Sequence, residues 1–336
     1  LSFFITQGLG MNLVMANIYQ LQGEFSATVA EVAWLSAAYM APYATFSIAL
    51  FKVRAQYGLR PFAELSIIAF VVASCLNLFV TDLHSAIVIR FVSGMAAAPI
   101  SSLGFLYILE AFPPARKFSL GFSIALTGTL LSAPLARMVS PSLLAIDGWN
   151  ALYSMEVGFA LISFAMIYVL KVTPPPRAKV IERMDILSYL LFAGGLGCLA
   201  VMLTLGRFYW WFETWWLGAL LATSIALLTL MAFIELPRKN PLLDLRWIFS
   251  KTNLHAIAVL LVYRAVSSEQ SSTAVSFYQQ LGLLNDQTTM LYALVLLATI
   301  LGGAACAWLM LTKYVETAHV IALTLIAAGS FMDSQS

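Results

Sequence analysis

The chain has 336 residues, of which 61% are hydrophobic and 10% charged, with a formal net charge of +2 and a mean hydropathy of +0.88. That composition excludes a soluble domain, which would spread charge over its surface, and so small a net charge gives no reason to expect nucleic-acid binding. The apolar residues come in blocks of about 20, the length a helix needs to cross the hydrocarbon core of a bilayer.

In chain order, spans are predicted near residues 2–22, 32–52, 63–81, 85–109, 118–139, 151–170, 186–206, 215–236, 254–279, 289–311 and from 318 onward. They are read as helices, because in lipid each backbone amide must be satisfied within its own segment; continuous apolar runs such as 217–233 exclude the short alternating strands of a β-barrel. All but four of the 18 lysines and arginines fall in every second connection, the exceptions being Arg90, Arg137, Arg207 and Arg264. The positive-inside rule then places the N-terminus in the cytoplasm; the expected location is a plasma membrane of the bacterial inner-membrane type. Leu1 opens directly on an apolar run and the chain stops after Phe331 and Met332 with a helix unfinished, so a truncated fragment is expected. The opening run is of span length and lacks a small-residue cleavage site, unlike a signal peptide.

The expected fold is all-α and polytopic, in four parts. A six-helix bundle over 1–170 is followed by a basic linker over 171–184 stiffened by Thr173-Pro174-Pro175-Pro176, two additional helices over 185–236, and the start of a second bundle over 237–336. Cys75, Cys198 and Cys306 stand alone in apolar segments without metal-ligand spacing, so neither disulfides nor a metal site are expected.

Several residues carry a resemblance to a known family. Trp34 with Ala38-Tyr39 and Pro42 resembles the second helix of the major facilitator superfamily, in particular its fourteen-helix drug:proton antiporter branch. Tyr57-Gly58-Leu59-Arg60 resembles the end of that family's signature loop, and Arg90 with Gly94 its fourth-helix motif. Pro134 is similar to the proline of the antiporter motif, Trp149 to the tryptophan before helix six, and Asp185 to the opening of helix seven. Glu235, Pro241-Leu242 and Tyr278-Gln279 with Gly282 match the pattern around helices eight and nine. The resemblance implies proton-coupled export of a small amphipathic or organic compound by alternating access. It implies as partners the substrate, protons, the lipid bilayer and periplasmic adaptor proteins, with no cofactor.

The departures concern coupling. Where the family's first helix carries an Asp five positions before an Asn, this chain has Asn12 and Asn17; the signature-loop Asp falls on Ala55, and glycines of the antiporter motif fall on Arg137 and Met138. A proton-independent facilitator, or a transporter-like receptor that moves nothing, therefore stays open beside the antiporter.

Charged residues within spans are the candidate sites, because an ionised side chain exposed to lipid costs several kcal/mol. Arg90 reads as a fixed positive charge in the cavity of the first bundle, the alternative being a side chain that snorkels to the interface. Arg264 and Glu269 flank a polar run, 267–273, that must lie within membrane depth, since 253–266 supplies only about 21 Å of helix. Glu269, with Gln270, is a candidate for reversible protonation. Glu156, near the outer part of span six, is a candidate replacement for the carboxylate absent at Asn12, or an acid hydrated at the interface. The expected cavity is lined by spans one, four, six and nine. There is no GxxxxGK[ST] loop to hold nucleotide phosphates and no GxSxG or HExxH motif, so an ATP-driven pump and these hydrolases are not indicated.

Overall fold

The computed structural model describes residues 1–112, 120–169, 179–211, 213–268, 277–278, 281–283, 286–312 and 315–333. No strand occurs among them. The helices are α1 (Ser2–Ala16), α2 (Ile18–Glu24), α3 (Val29–Tyr57), α4 (Leu59–Leu76), α5 (Leu83–Ala111), α6 (Phe122–Val169), α7 (Arg183–Leu205), α8 (Trp215–Glu235), α9 (Leu245–Ile248), α10 (Lys251–Ser268), α11 (Thr289–Leu309) and α12 (Val315–Asp333). A short 3-10 turn, Asn77–Phe79, extends α4. By length and hydropathy, six helical segments among the described residues can cross a membrane, so this is a multi-pass membrane protein.

Local chemistry fixes several helix starts. Thr28 and Glu31 form a capping box at α3, Asp82 and Ser85 one at α5, and Glu182 and Asp185 one at α7, each satisfying amides that the first turn leaves open. Two expected boundaries are corrected. The predicted span 2–22 is broken at Asn17, whose backbone leaves helical geometry (φ −124°, ψ 24°) while its side-chain amide donates to the Leu13 carbonyl at 2.7 Å. The predicted spans 118–139 and 151–170 are two limbs of α6, which stays helical between them until it reverses at Asp147 and Gly148. Gly148 has φ +47°, and a β-carbon there would lie 2.8 Å from the Glu24 carboxylate, which accepts the Trp149 amide at 2.9 Å. The end of α2 thus caps the second limb of α6, and only glycine fits the turn.

Helix α1 packs against α6 and α5; α3 lies between α5 and α7; α7 and α8 pair with each other; and α11 lies along α6. One apolar cluster joins α3, α4 and α5 through Tyr39, Leu50, Phe62, Ile67, Phe70, Ile100 and Leu103. A second joins α1 and α2 to α6 through Leu9, Leu13, Leu21, Trp149 and Tyr153. Small residues let the helices approach closely, as membrane packing requires. A β-carbon on Gly94 of α5 would overlap the Tyr39 carbonyl of α3, and one on Gly8 would overlap Ser132 Oγ of α6. Outward side chains of α7 and α8, among them Leu190, Ile225 and Phe233, are exposed, as lipid-facing residues are.

Candidate functional site

Five helices converge on a polar cluster inside the first bundle. Arg90 on α5 is fully buried, and its guanidinium carbon lies 4.2 Å from the centre of the Tyr39 ring of α3. One terminal nitrogen donates to the Gly10 carbonyl of α1 at 2.6 Å and the other to the Tyr153 hydroxyl of α6 at 3.2 Å. Such an arrangement spreads one positive charge over a ring face and two oxygens, and it uses the planar fork of arginine.

Glu156, one turn beyond Tyr153, is also fully buried and accepts a hydrogen bond from Ser74 of α4 at 3.0 Å. Its second oxygen and Arg90 Nε are buried without a hydrogen-bond partner. No ion pair joins Arg90 to Glu156 among the described residues. Both instead meet the chain at Gly10, where a β-carbon would lie 3.1 Å from Tyr39 Oη and 3.3 Å from Glu156 Oε1. The alternative of an interfacial, hydrated Glu156 is thereby corrected, as is the snorkelling alternative for Arg90. A supporting layer lies beside them. Asn77 donates to Ser93 Oγ at 2.9 Å, and its carbonyl accepts the Trp149 indole N–H at 2.7 Å.

The remaining predicted residues are placed as follows. Asn12 donates its amide to the Gly8 carbonyl at 2.8 Å and to Ser132 Oγ at 3.1 Å, which holds α1 on the first limb of α6, and Asn17 is buried at the break after α1. Arg264 is exposed on α10, whose described side chains are exposed throughout except Asn253, so the described part of span nine within α10 is not packed into the Arg90 cluster. Glu269 and Gln270 lie outside the described residues. Tyr278 is half-buried. Gly58 (φ +94°) makes the joint between α3 and α4, after which Arg60 pairs with Glu64 at 3.1 Å. Pro134 is buried within the first limb of α6, and Trp34 donates to the Tyr209 hydroxyl at 3.3 Å. Of the spans expected to line a cavity, one, four and six meet at this cluster through Gly10, Arg90 and Glu156.

A second charged cluster was not foreseen from the residues themselves. At the basic-loop end, Lys52 of α3 reaches both carboxylate oxygens of Asp185 at 2.8 Å. Arg238, just past α8, binds Asp185 at 2.7 Å, Glu182 at 2.8 Å and Glu235 at 2.6 Å. Burial alone would lower the Arg238 pKa, but the three carboxylates outweigh it and hold the guanidinium above its ordinary range. Glu235 also accepts the Ser188 hydroxyl and the amides of Leu242 and Leu243, which explains why an acid precedes Pro241-Leu242 at that spacing. The signal in sequence was the pairing of Asp185 and Glu235 at the ends of successive spans.

Residues 1–333 match the Major Facilitator Superfamily, nearly the whole chain. The chain belongs to the major facilitator superfamily. This is a superfamily of transporters and not of enzymes. Among its curated members, the multidrug export protein EmrB of Haemophilus influenzae is 24% identical over 187 residues, which are 54% of this chain and 35% of that protein. The fatty acid resistance protein FarB of Neisseria gonorrhoeae is 27% identical over 180 residues, 52% of this chain and 34% of that protein. These matches thus span about a third of each relative's length. Among solved structures, the superfamily proton:xylose symporter XylE bound to 6-bromo-6-deoxy-D-glucose aligns with a TM-score of 0.48 at 13% identity, covering 90% of this chain and 66% of that one.

Proposed function

We propose that the protein is a secondary active transporter that exports a small amphipathic or organic molecule by alternating access in exchange for protons. The observation that carries this reading is the fully buried Glu156, held by one hydrogen bond from Ser74 and left unpaired by the nearby, equally buried Arg90. A carboxyl group so placed exchanges a proton only when water reaches it, and access from one side at a time would make that exchange vectorial. Arg90 is the fixed charge against which Glu156 changes state. Glu269 remains a second candidate carboxylate. The export direction is supported by the names of two relatives, EmrB, a multidrug export protein, and FarB, a fatty acid resistance protein. In this reading the basic loops and the N-terminus face the cytoplasm, and 1–170 and 237–336 belong to two bundles with α7 and α8 between them.

The test uses inverted membrane vesicles containing the protein expressed from its full reading frame. Substrate-dependent proton release and accumulation of a compound from a broad panel are expected, and Glu156→Gln is expected to abolish gradient-driven movement while preserving binding. Wild-type accumulation by that variant removes Glu156 from the mechanism. A second reading, a proton-independent facilitator, is favoured by Asn12, whose amide is committed to Gly8 and Ser132 and carries no exchangeable charge. Flux that survives collapse of the proton gradient selects it, and ligand binding without any flux selects a receptor.

A further inference from the structure

A cavity of about 730 Å³ opens at the basic-loop end of the molecule, remote in sequence from Glu156 and bounded by α3, α5, the chain entering α7 and the loop after α8. Its volume falls within the range of about 300 to 1,000 Å³ typical of small-molecule sites. One wall is apolar and comes from two directions: Ile48 and Phe51 from α3, and Leu242 from the loop. Two exposed lysines, Lys179 and Lys239, also line the cavity.

The three lysines of this cavity are not equivalent. Lys52, the deepest, is neutralised, since its ammonium lies on both oxygens of Asp185 and on the Asn240 carbonyl. Lys179 and Lys239 enter no ion pair among the described residues. The acid on the wall, Asp244, is turned to the start of α9, where it accepts the Trp247 amide at 3.2 Å. The cavity therefore offers two lysine ammonium groups free of ion pairs among the described residues, beside an apolar surface at the level of the helix ends, with Asp244 as its one acid engaged by a backbone amide. The ligand that satisfies both halves carries an anionic head on an apolar body.

We propose that this cavity binds an amphipathic anion, a carboxylate, sulfonate or phosphate head held between Lys179 and Lys239 with its apolar body along Ile48, Phe51 and Leu242. Only the further role of this site as the point where an exported compound leaves the inner leaflet rests on the transporter reading; the binding does not. The same chemistry belongs to a single-chain organic acid and to an anionic phospholipid.

The experiment uses the protein from its full reading frame in phosphatidylcholine nanodiscs with no ion gradient, and a dansyl-labelled undecanoate beside its uncharged methyl ester. The acid is expected to bind at least about tenfold more tightly than the ester at low salt, an advantage that shrinks as salt screens the lysines. The double variant Lys179→Gln/Lys239→Gln is expected to lose that advantage, and Lys179→Arg/Lys239→Arg to keep it, both with unchanged thermal unfolding midpoints. Nanodiscs containing phosphatidylglycerol separate the two sources. Displacement of the acid by the lipid makes the headgroup the occupant, and persistence makes it the single-chain anion. Equal affinity for acid and ester, or an unchanged affinity in the glutamine variant, overturns the proposal. Failure of the transport reading looks different: the acid binds as expected and no compound is moved.

Discussion

Gly10 is where the interior charges meet, because the Arg90 guanidinium takes its carbonyl while Tyr39 Oη and Glu156 Oε1 crowd the place a side chain would occupy. Gly10→Ala asks those neighbours to give by a few tenths of an ångström, so it should fold and transport at a reduced rate. Gly10→Leu should lower stability by about 1 to 3 kcal/mol through overpacking and abolish transport. Detergent thermal unfolding and vesicle uptake measure the two effects, and wild-type uptake by the leucine variant would show that the cluster is not in the transport cycle. At this scale the sequence was legible where charge was concerned. Arg90 and Glu156 stand out in apolar runs because ionised groups are rare there. Tyr153, Ser74 and Gly10 do not, since a hydroxyl or a glycine in a membrane helix looks like ordinary packing until a partner is placed beside it. Asn12 shows the converse. Conspicuous in the sequence as an amide where the family has an acid, it serves in the fold to bind α1 to the first limb of α6.

Helix α3 is clasped to the α7–α8 pair at both ends. At the basic-loop end the clasp is Lys52, Asp185 and Arg238; at the other it is aromatic, with Trp34 stacked on Trp216 at 6.0 Å and bonded to Tyr209. Two fastenings at opposite ends prevent the pair from swinging about either one, so α7 and α8 should move with the first bundle. Asp185→Asn would remove the charge that two cations share while their side chains remain largely buried. A loss of roughly 3 kcal/mol is expected, at the low end for a broken buried pair because Lys52 keeps some exposure. It should appear as a lower unfolding midpoint that added salt fails to restore, whereas an unchanged midpoint would mean that the network does not hold the pair. The helices themselves were legible from the lengths of apolar runs. The break at Asn17 and the reversal at Gly148 were not, because each depends on a group from elsewhere or on a local side-chain bond, the Glu24 carboxylate in the second case. The contact of Trp34 with Trp216 was not legible for the same reason, since the two lie far apart in sequence.

Across the whole molecule, the alternating access proposed above requires a seam that opens and closes, and the contact between the first limb of α6 and α11 is the one we propose for it. The two helices touch so closely that a β-carbon on Gly303 would overlap Thr127 Oγ1. Arg137, standing where the family motif carries a glycine, extends across the seam so that its guanidinium lies 5.5 Å from the centre of the Tyr292 ring. Nearer the other end, Ser123 Oγ lies 3.7 Å from the sulfur of Cys306. That separation places the two side chains within reach of a disulfide once serine is replaced by cysteine. In a background with Cys75 and Cys198 changed to serine, Ser123→Cys should therefore cross-link to Cys306 under mild oxidation, seen as a shift in gel mobility after cleavage between the two positions. A covalent bond across a seam that must separate should stop vesicle uptake, and reduction should restore it. Efficient cross-linking with undiminished uptake would place the moving boundary elsewhere, between α11 and the segments that follow it, with α11 travelling as part of the first bundle.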